Sequence, residues 1–432
     1  MRWAVAAGLA LFGCLPEITL PTCSVDGDCD LQQGYCTCSA GYCFKEGCAA
    51  APSIAKAPCV GTEDLACCQF ESQDIDCWPT GGVRLTSTPS PPSVAAFGGA
   101  VGPVAVTAGE ELVVVDPTSL RLLGKTPVPG LRPGAHGWPV ATGPDEWVVL
   151  APEPVRVGLS GAVALELPET GSLVSPLAAT CEGVVMGLGS TGRLWRFPSS
   201  GAAEAFGPVF DGKLEGAQVY TLGTAQVVVV ADGRFVVVDS AGEEEFSLDD
   251  VTSTVAGAQN FKPGGAALLV MGATGSLRVI RPDTWEVTEL QLPEALFELL
   301  FDGENTLIGP TTGDDSEIVA VTLDSVPPKA VWRLPGGEGA APVLVGDQAV
   351  ALFRPVGGVS VYRLPEDSPS ASLAAKGALG SPPVPLSDGT LFWFGNDGRP
   401  RRLRGDLSGA SQDWPRSAGG QGLNRWLGGR CP

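Results

Sequence analysis

Gln226–Ala231 (QVVVVA), Asp232-Gly233 and Arg234–Asp239 (RFVVVD) form the stretch whose reading decides the fold. Asp-Gly between two β-branched runs is the strongest short hairpin signal, because both residues tolerate the positive φ that a two-residue turn requires. The theme returns along the chain. Ala266–Met271 turns at Ala273–Gly275 into Ser276–Ile280, and Asp388-Gly389 and Asn396-Asp397-Gly398 flank Leu391–Phe394. A polar turn and another short strand follow the second strand of a hairpin, as in Asp116-Pro117-Thr118-Ser119-Leu120-Arg121-Leu122. The same order recurs in Pro282-Asp283-Thr284-Trp285-Glu286-Val287.

A second phrase sets the period. Gly102-Pro103-Val104-Ala105-Val106 is echoed at Trp138-Pro139-Val140-Ala141-Thr142 and Ser175-Pro176-Leu177-Ala178-Ala179, then at Ala341–Val345 and Pro382–Leu386. The prolines at 103, 139, 176, 342 and 383 fit a spacing near 40, with proline-free copies expected near 218, 261 and 299. About four strands every forty residues is the arithmetic of a propeller blade. The sequence therefore predicts an all-β chain: a β-propeller of about eight blades, seven also being compatible, over residues 95–432. Composition agrees, since 58 glycines and 38 prolines in 432 residues leave no window for a long helix. The 27 basic and 48 acidic residues give a net charge of −21, which argues against nucleic acid as a partner.

The first residues read MRWAVAAGLALFGC. Arg2 is a minimal basic region, and Trp3–Phe12 is too short to span a bilayer. Leu11-Phe12-Gly13-Cys14 resembles the bacterial lipobox, although Phe12 departs from the small residue usual there. The resemblance implies cleavage after residue 13 and acylation of Cys14, with 14–22 as a lipidated tether. The alternative is an ordinary secretory signal with an incidental cysteine. Leu15, rather than aspartate, follows Cys14, which in the best-known sorting rule points to the outer membrane, on its periplasmic face or at the cell surface. Membrane attachment through this N-terminal lipid is the expected anchor.

Ten cysteines fall within residues 23–77: Cys23, Cys29, Cys36, Cys38, Cys43, Cys48, Cys59, Cys67, Cys68 and Cys77. That density marks a disulfide scaffold in an exported chain. The C-x5-C-x6-C-x-C-x4-C-x4-C spacing, with no histidine near, argues against zinc. Asp26, Asp28 and Asp30 alternate like the start of a calcium loop, but Leu31 and Thr37 stand where glycine and glutamate are needed. No metal is expected. Cys23–Cys48 resembles the EGF-like and knottin-like modules of secreted proteins. The vicinal Cys67 and Cys68 are expected in two separate bridges. A Pro/Ser/Thr-rich linker is expected over 78–94. Cys181, in a predicted strand, and Cys431 remain; they either bridge each other, or Cys181 is a buried thiol while Cys431 pairs with the module.

The repeats resemble the quinoprotein-like (PQQ-like) propeller superfamily. Its phrase, G-x-hydrophobic-x-A/V-hydrophobic-D-x-x-T/S-G, is visible in Leu112–Gly124, Gly233–Gly242 and Gly275–Val287, and Trp414–Arg425 is similar to its W-P…R phrase without the aspartate. The resemblance implies the fold and leaves function open.

Little here suggests chemistry. Gly187–Gly192 matches GxGxxG, but Arg193–Phe197 alternates as a strand where a pyrophosphate site needs a helix. Gly207–Lys213 is nearly a P-loop, but Leu214 replaces the magnesium-reaching Ser or Thr. His136 is the only histidine and is expected in a solvated loop. True quinoproteins hold their cofactor on a tryptophan platform with calcium held by long inter-blade insertions, and these blades are short. No catalytic residue and no cofactor is therefore assigned. Residues 399–432 carry seven arginines against two aspartates, whereas residues 15–398 carry 19 basic and 46 acidic residues. Arg399, Arg401, Arg402 and Arg404 are a candidate patch for an anionic partner; the alternative is a last blade neutralising an acidic body. The expected function is a non-catalytic, lipid-anchored envelope scaffold that binds another envelope protein or a surface glycan. The alternatives are an exported quinoprotein-like or carbohydrate-acting enzyme, and a scaffold like the outer-membrane-protein assembly lipoprotein.

Overall fold

A computed structural model describes residues 102–404 with breaks at several turns, together with Leu85 and the strand backbones at 37–39, 42–44, 60–61, 66–69, 75–78 and 93–94. Apart from one small hairpin, Thr37–Ser39 against Tyr42–Phe44, the described strands form eight antiparallel sheets. Seven contain four strands, each hydrogen-bonded to the one before it in sequence. Their first strands are Ser93–Val94, Val140–Gly143, Ala178–Ala179, Gln218–Leu222, Val251–Phe261, Leu300–Phe301 and Ala341–Gly346. The eighth sheet begins at Val384–Pro385. First strands of most successive blades neighbour one another, which places them on the inner side of the ring. In the fourth blade the Thr221 hydroxyl also donates to the Ala179 carbonyl of the third at 2.9 Å.

The run QVVVVA shows why this architecture forms. Gln226–Ala231 is the second strand of the fourth blade, and successive side chains of a strand alternate between the two faces of its sheet. Val227 and Val229 enter a cluster with Met186, Leu188 and Leu194 of the third blade. Val228 and Val230 enter another, with Val255, Leu269 and Leu277 of the fifth. In Glu146–Leu150 of the second blade, Trp147 and Val149 pack with Leu112 and Val114 of the first. Val148 and Leu150 of that strand pack with Trp195 and Phe197 of the third. The core lies between sheets, so central strands are apolar on both faces and need no polar alternation.

One hydrogen bond recurs where the chain leaves a blade. A residue beyond the fourth strand donates its N–H to a carbonyl in the turn joining the second and third strands. Val128 donates to Glu110 at 2.7 Å, Phe210 to Gly192 at 2.8 Å and Val251 to Gly233 at 3.0 Å. In the eighth blade Leu85 donates to Gly398 at 2.8 Å. Leu85 is buried there.

That last bond belongs to the way the ring closes. The eighth sheet runs Val384–Pro385, Leu391–Phe394, Pro400–Arg404, and is then continued by Ile75–Trp78, Ala66–Gln69 and Val60–Gly61. Arg402 stands opposite Cys77, Leu403 opposite Asp76 and Arg404 opposite Ile75. The boundary expected at residue 77 between a cysteine module and a propeller therefore cuts through a sheet. The linker expected over 78–94 also holds structure: it contains docked Leu85 and ends in Ser93–Val94, the first strand of blade one, where the propeller was expected to start at 95. The repeat phrase at 102–106 falls one strand out of phase. Val104–Ala108 is the second strand of its blade, whereas the copies at 138, 175, 341 and 382 lead into first strands.

Candidate functional site

Eight large hydrophobic side chains are exposed among the described residues, and four lie on two adjacent blades: Leu122, Leu123, Leu159 and Val163. Leu122 and Leu123 begin the outermost strand of the first blade, Leu122–Pro127. Val115 pairs with Leu122 and Val114 with Gly124, so Leu123 is the extra residue of a bulge. Equivalent bulges recur at Glu245 in the fourth blade and Val331 in the sixth. In the second blade, Leu159 stands in the turn before the outermost strand, Gly161–Ala164. Leu159 reaches over the first blade: its Cδ2 lies 3.4 Å from where a Cβ on Gly124 would stand. A ridge of exposed apolar side chains thus crosses the rim between the two blades. Val163 continues it along the edge strand with 65% of its surface exposed.

Gly161–Ala164 differs from most outer strands of the molecule. All four residues are exposed, and none is charged. Protein edges are ordinarily blunted by charges or proline. The outermost strands of the first, third, fourth, fifth and sixth blades carry Lys125, Glu204, Glu244, Glu289 and Lys329. Behind the edge, Arg156 stands opposite Val163 and is held by Glu146 at 3.4 Å and by the Pro198 carbonyl at 2.8 Å. It also donates to the Ser199 carbonyl. The strand beneath the open edge is therefore fixed to the third blade.

Between the third and fourth blades lies a crevice of about 80 Å³. Val184, Met186, Phe206 and Val227 give it apolar walls, and Glu182, Arg196 and Ser240 contribute polar groups. The Arg196 guanidinium stands 5.8 Å from the centre of the Phe206 ring. No group of three His, Cys, Asp or Glu converges among the described residues. Elsewhere Arg333 donates to the carboxylates of Glu294 and Glu317, and these hydrogen bonds, first that to Glu294 and then that to Glu317, raise its pKa.

Separate antiparallel sheets, most of four strands in sequence order and packed blade against blade, settle the architecture. The fold is a β-propeller. No family model matches the chain, and no curated protein matches it in sequence. Solved structures do. BamB from Moraxella catarrhalis is similar at 15% identity over 75% of this chain and 98% of that one, with a TM-score of 0.54. The computationally designed protein Ika8 is similar at 14% identity over 74% and 99%, with a TM-score of 0.52. The C-terminal WD40 domain of Sif2 is similar at 13% identity over 74% and 95%, also with a TM-score of 0.52. At these identities the likeness is one of fold.

Within the propeller the four arginines do not make one surface patch. Arg401 is buried at 4% exposure and Arg399 is half-buried. Arg401, Arg402 and Arg404 lie in Pro400–Arg404, an interior strand of the eighth sheet flanked by Leu391–Phe394 and Ile75–Trp78. A buried Arg401 is not available to a partner at the surface. Gly187–Gly192 is a hairpin turn: Val185–Leu188 pairs with Arg193–Phe197, and Gly192 has φ 78°. Of the assigned cysteines, Cys38, Cys43, Cys67, Cys68 and Cys77 lie on described strand backbones. Cys14, Cys23, Cys29, Cys36, Cys48, Cys59, Cys181 and Cys431, with His136, lie outside the described residues. The apolar ridge escaped sequence reading because its residues come from two repeats. Its sequence-level signal was an uncharged Gly161-Ala-Val-Ala164 where the outer strands of five other blades carry charge.

Proposed function

We propose that this chain is an exported, lipid-anchored, non-catalytic scaffold of the cell envelope, and that its propeller holds a protein partner at the ridge formed by Leu122, Leu123, Leu159 and Val163. The observation that carries this reading is the apolar ridge running into an uncharged, exposed edge strand. Exposed apolar surface favours contact with protein over a glycan or a lipid headgroup. An open edge offers backbone donors and acceptors to an extended segment of the partner. A scaffold like the outer-membrane-protein assembly lipoprotein is a narrower version of the same reading, supported by the shared fold with BamB. The competing reading, an exported quinoprotein-like or carbohydrate-acting enzyme, predicts a visible quinone absorbance or glycan turnover in the purified protein.

A photo-reactive residue placed at Val163 is expected to crosslink a discrete protein in intact cells. Val163→Asp combined with Leu159→Asp is expected to cut capture of that protein at least tenfold at unchanged melting temperature, since both side chains are solvent-facing. Crosslinking unaffected by the double substitution would remove the ridge from the reading.

A further inference from the structure

The sheet that closes the ring also brings cysteines level with one another. Ala66–Gln69 pairs antiparallel with Ile75–Trp78 so that Cys67 stands directly opposite Cys77, and Cys68 opposite Asp76. Directly opposed residues on antiparallel strands have Cα atoms about 4.5–5.5 Å apart. A disulfide spans Cα separations of roughly 4.4–6.8 Å. The backbone pairing thus meets the distance requirement for Cys67 and Cys77. Because successive residues belong to opposite faces of a sheet, Cys68 is assigned to the other face, and the vicinal pair is divided.

The small hairpin repeats the arrangement. Ser39 stands opposite Tyr42 next to the turn, and Cys38 stands opposite Cys43 one step away. Only Ala40-Gly41 separates the strands. In a hairpin with a two-residue loop, the pair beside the loop exchanges backbone hydrogen bonds. The next pair is then the non-hydrogen-bonded kind, where opposed Cα atoms approach to about 4.5 Å.

We propose that Cys67 and Cys77 are joined by a disulfide that staples the ring-closing strand to its outer neighbour, and that Cys38 and Cys43 form a second. Each bond forms when two thiols yield two protons and two electrons to an exported thiol oxidoreductase in its disulfide form, which leaves as the dithiol. Cys77 faces Arg402 across its other ladder. The first bridge therefore extends a covalent link to within one strand of the late segment 400–404. The assignment rests on export to an oxidising compartment.

The test is disulfide mapping of the full chain from an exporting host, with free thiols alkylated before digestion without reduction. Linked peptides joining Cys67 to Cys77 and Cys38 to Cys43 are expected. Cys59 stands one residue before Val60, which faces Cys67, and Cys68 is expected in a bridge with it. Because 67 and 68 are adjacent, variants resolve them. Cys67→Ser is expected to raise alkylation of Cys77 from near zero to about one thiol per chain, whereas Cys68→Ser leaves Cys77 protected. A 67–68 bridge, or Cys77 freed by Cys68→Ser instead, overturns the assignment while leaving export standing. Ten free thiols in the native chain overturn both. Should Cys67→Ser fail to fold, the map of the unsubstituted chain decides alone.

Discussion

At the scale of single residues, the turns carry the most specific requirements. Leu120 and Trp285 occupy the same place in two repeats, and both adopt φ 56°. The quinoprotein-like phrase offers glycine near such turns, so a side chain held there is justified by packing. Leu120 is fully buried. Trp285 stacks on Phe246 of the neighbouring blade at 5.0 Å and 12°, and donates to the Glu245 carboxylate at 3.1 Å. Gly192 shows the opposite case. It has φ 78°, and a Cβ there would overlap the Phe210 carbonyl that lies against it. Gly216 has φ 81° and open space around its missing Cβ. Gly216→Ala is therefore expected to cost only the left-handed penalty, about 1–2 kcal/mol. Gly192→Ala is expected to cost clearly more, since the Phe210 backbone must move and its bond to the Gly192 carbonyl weakens. Urea unfolding of the two variants checks this, and equal midpoints would show that the recurrent exit bond contributes nothing at this turn.

At the scale of strands, a blade is defined by what it touches on both sides. Val228 and Val229 are adjacent in one strand yet lie in different clusters, one toward the fifth blade and one toward the third. Val228→Ala and Val229→Ala are each expected to lower stability by about 1.5–3 kcal/mol, by similar amounts. In a sheet with one solvated face, one of the two would be nearly silent; that outcome in a denaturant titration would contradict the inter-blade core. The same two-sided burial explains what could be read from the sequence. Asp232-Gly233 and the period near forty were legible because turn chemistry and strand length are local. The polar turn shared by Asp116–Leu122 and Pro282–Val287 was also legible, and both copies have a left-handed residue at the same position. Three things were not. Pairing between 75–78 and 400–404 is set by register across the chain. The burial of Arg401 depends on strands that flank it on both sides and come from distant parts of the chain. The apolar ridge needed Leu159 laid over Gly124 from another repeat.

For the whole molecule, the decisive feature is that an early segment completes a late sheet. Removing residues through Trp78 leaves Pro400–Arg404 as an unpaired edge beside Leu391–Phe394. Hydrogen exchange at the amides of 391–394 and 400–404 is expected to accelerate by orders of magnitude in that variant, while the fourth and fifth blades keep their protection. Unchanged exchange at 400–404 would mean that Ile75–Trp78 adds nothing to closure. The ladder between Cys77 and Arg402 also sets an order of events. Joining positions some 325 residues apart costs about 4 kcal/mol more in chain entropy than closing a four-residue turn. That contact therefore becomes favourable only after the intervening blades have shortened the effective loop. A chain threaded across a membrane from its N-terminal side would emerge with its closing strand first and wait for the partner to arrive last. If the chain is exported as proposed, an unpaired strand edge stands open during that interval, and the time of greatest vulnerability to misassembly would be set by the rate of translocation rather than by the stability of the finished ring.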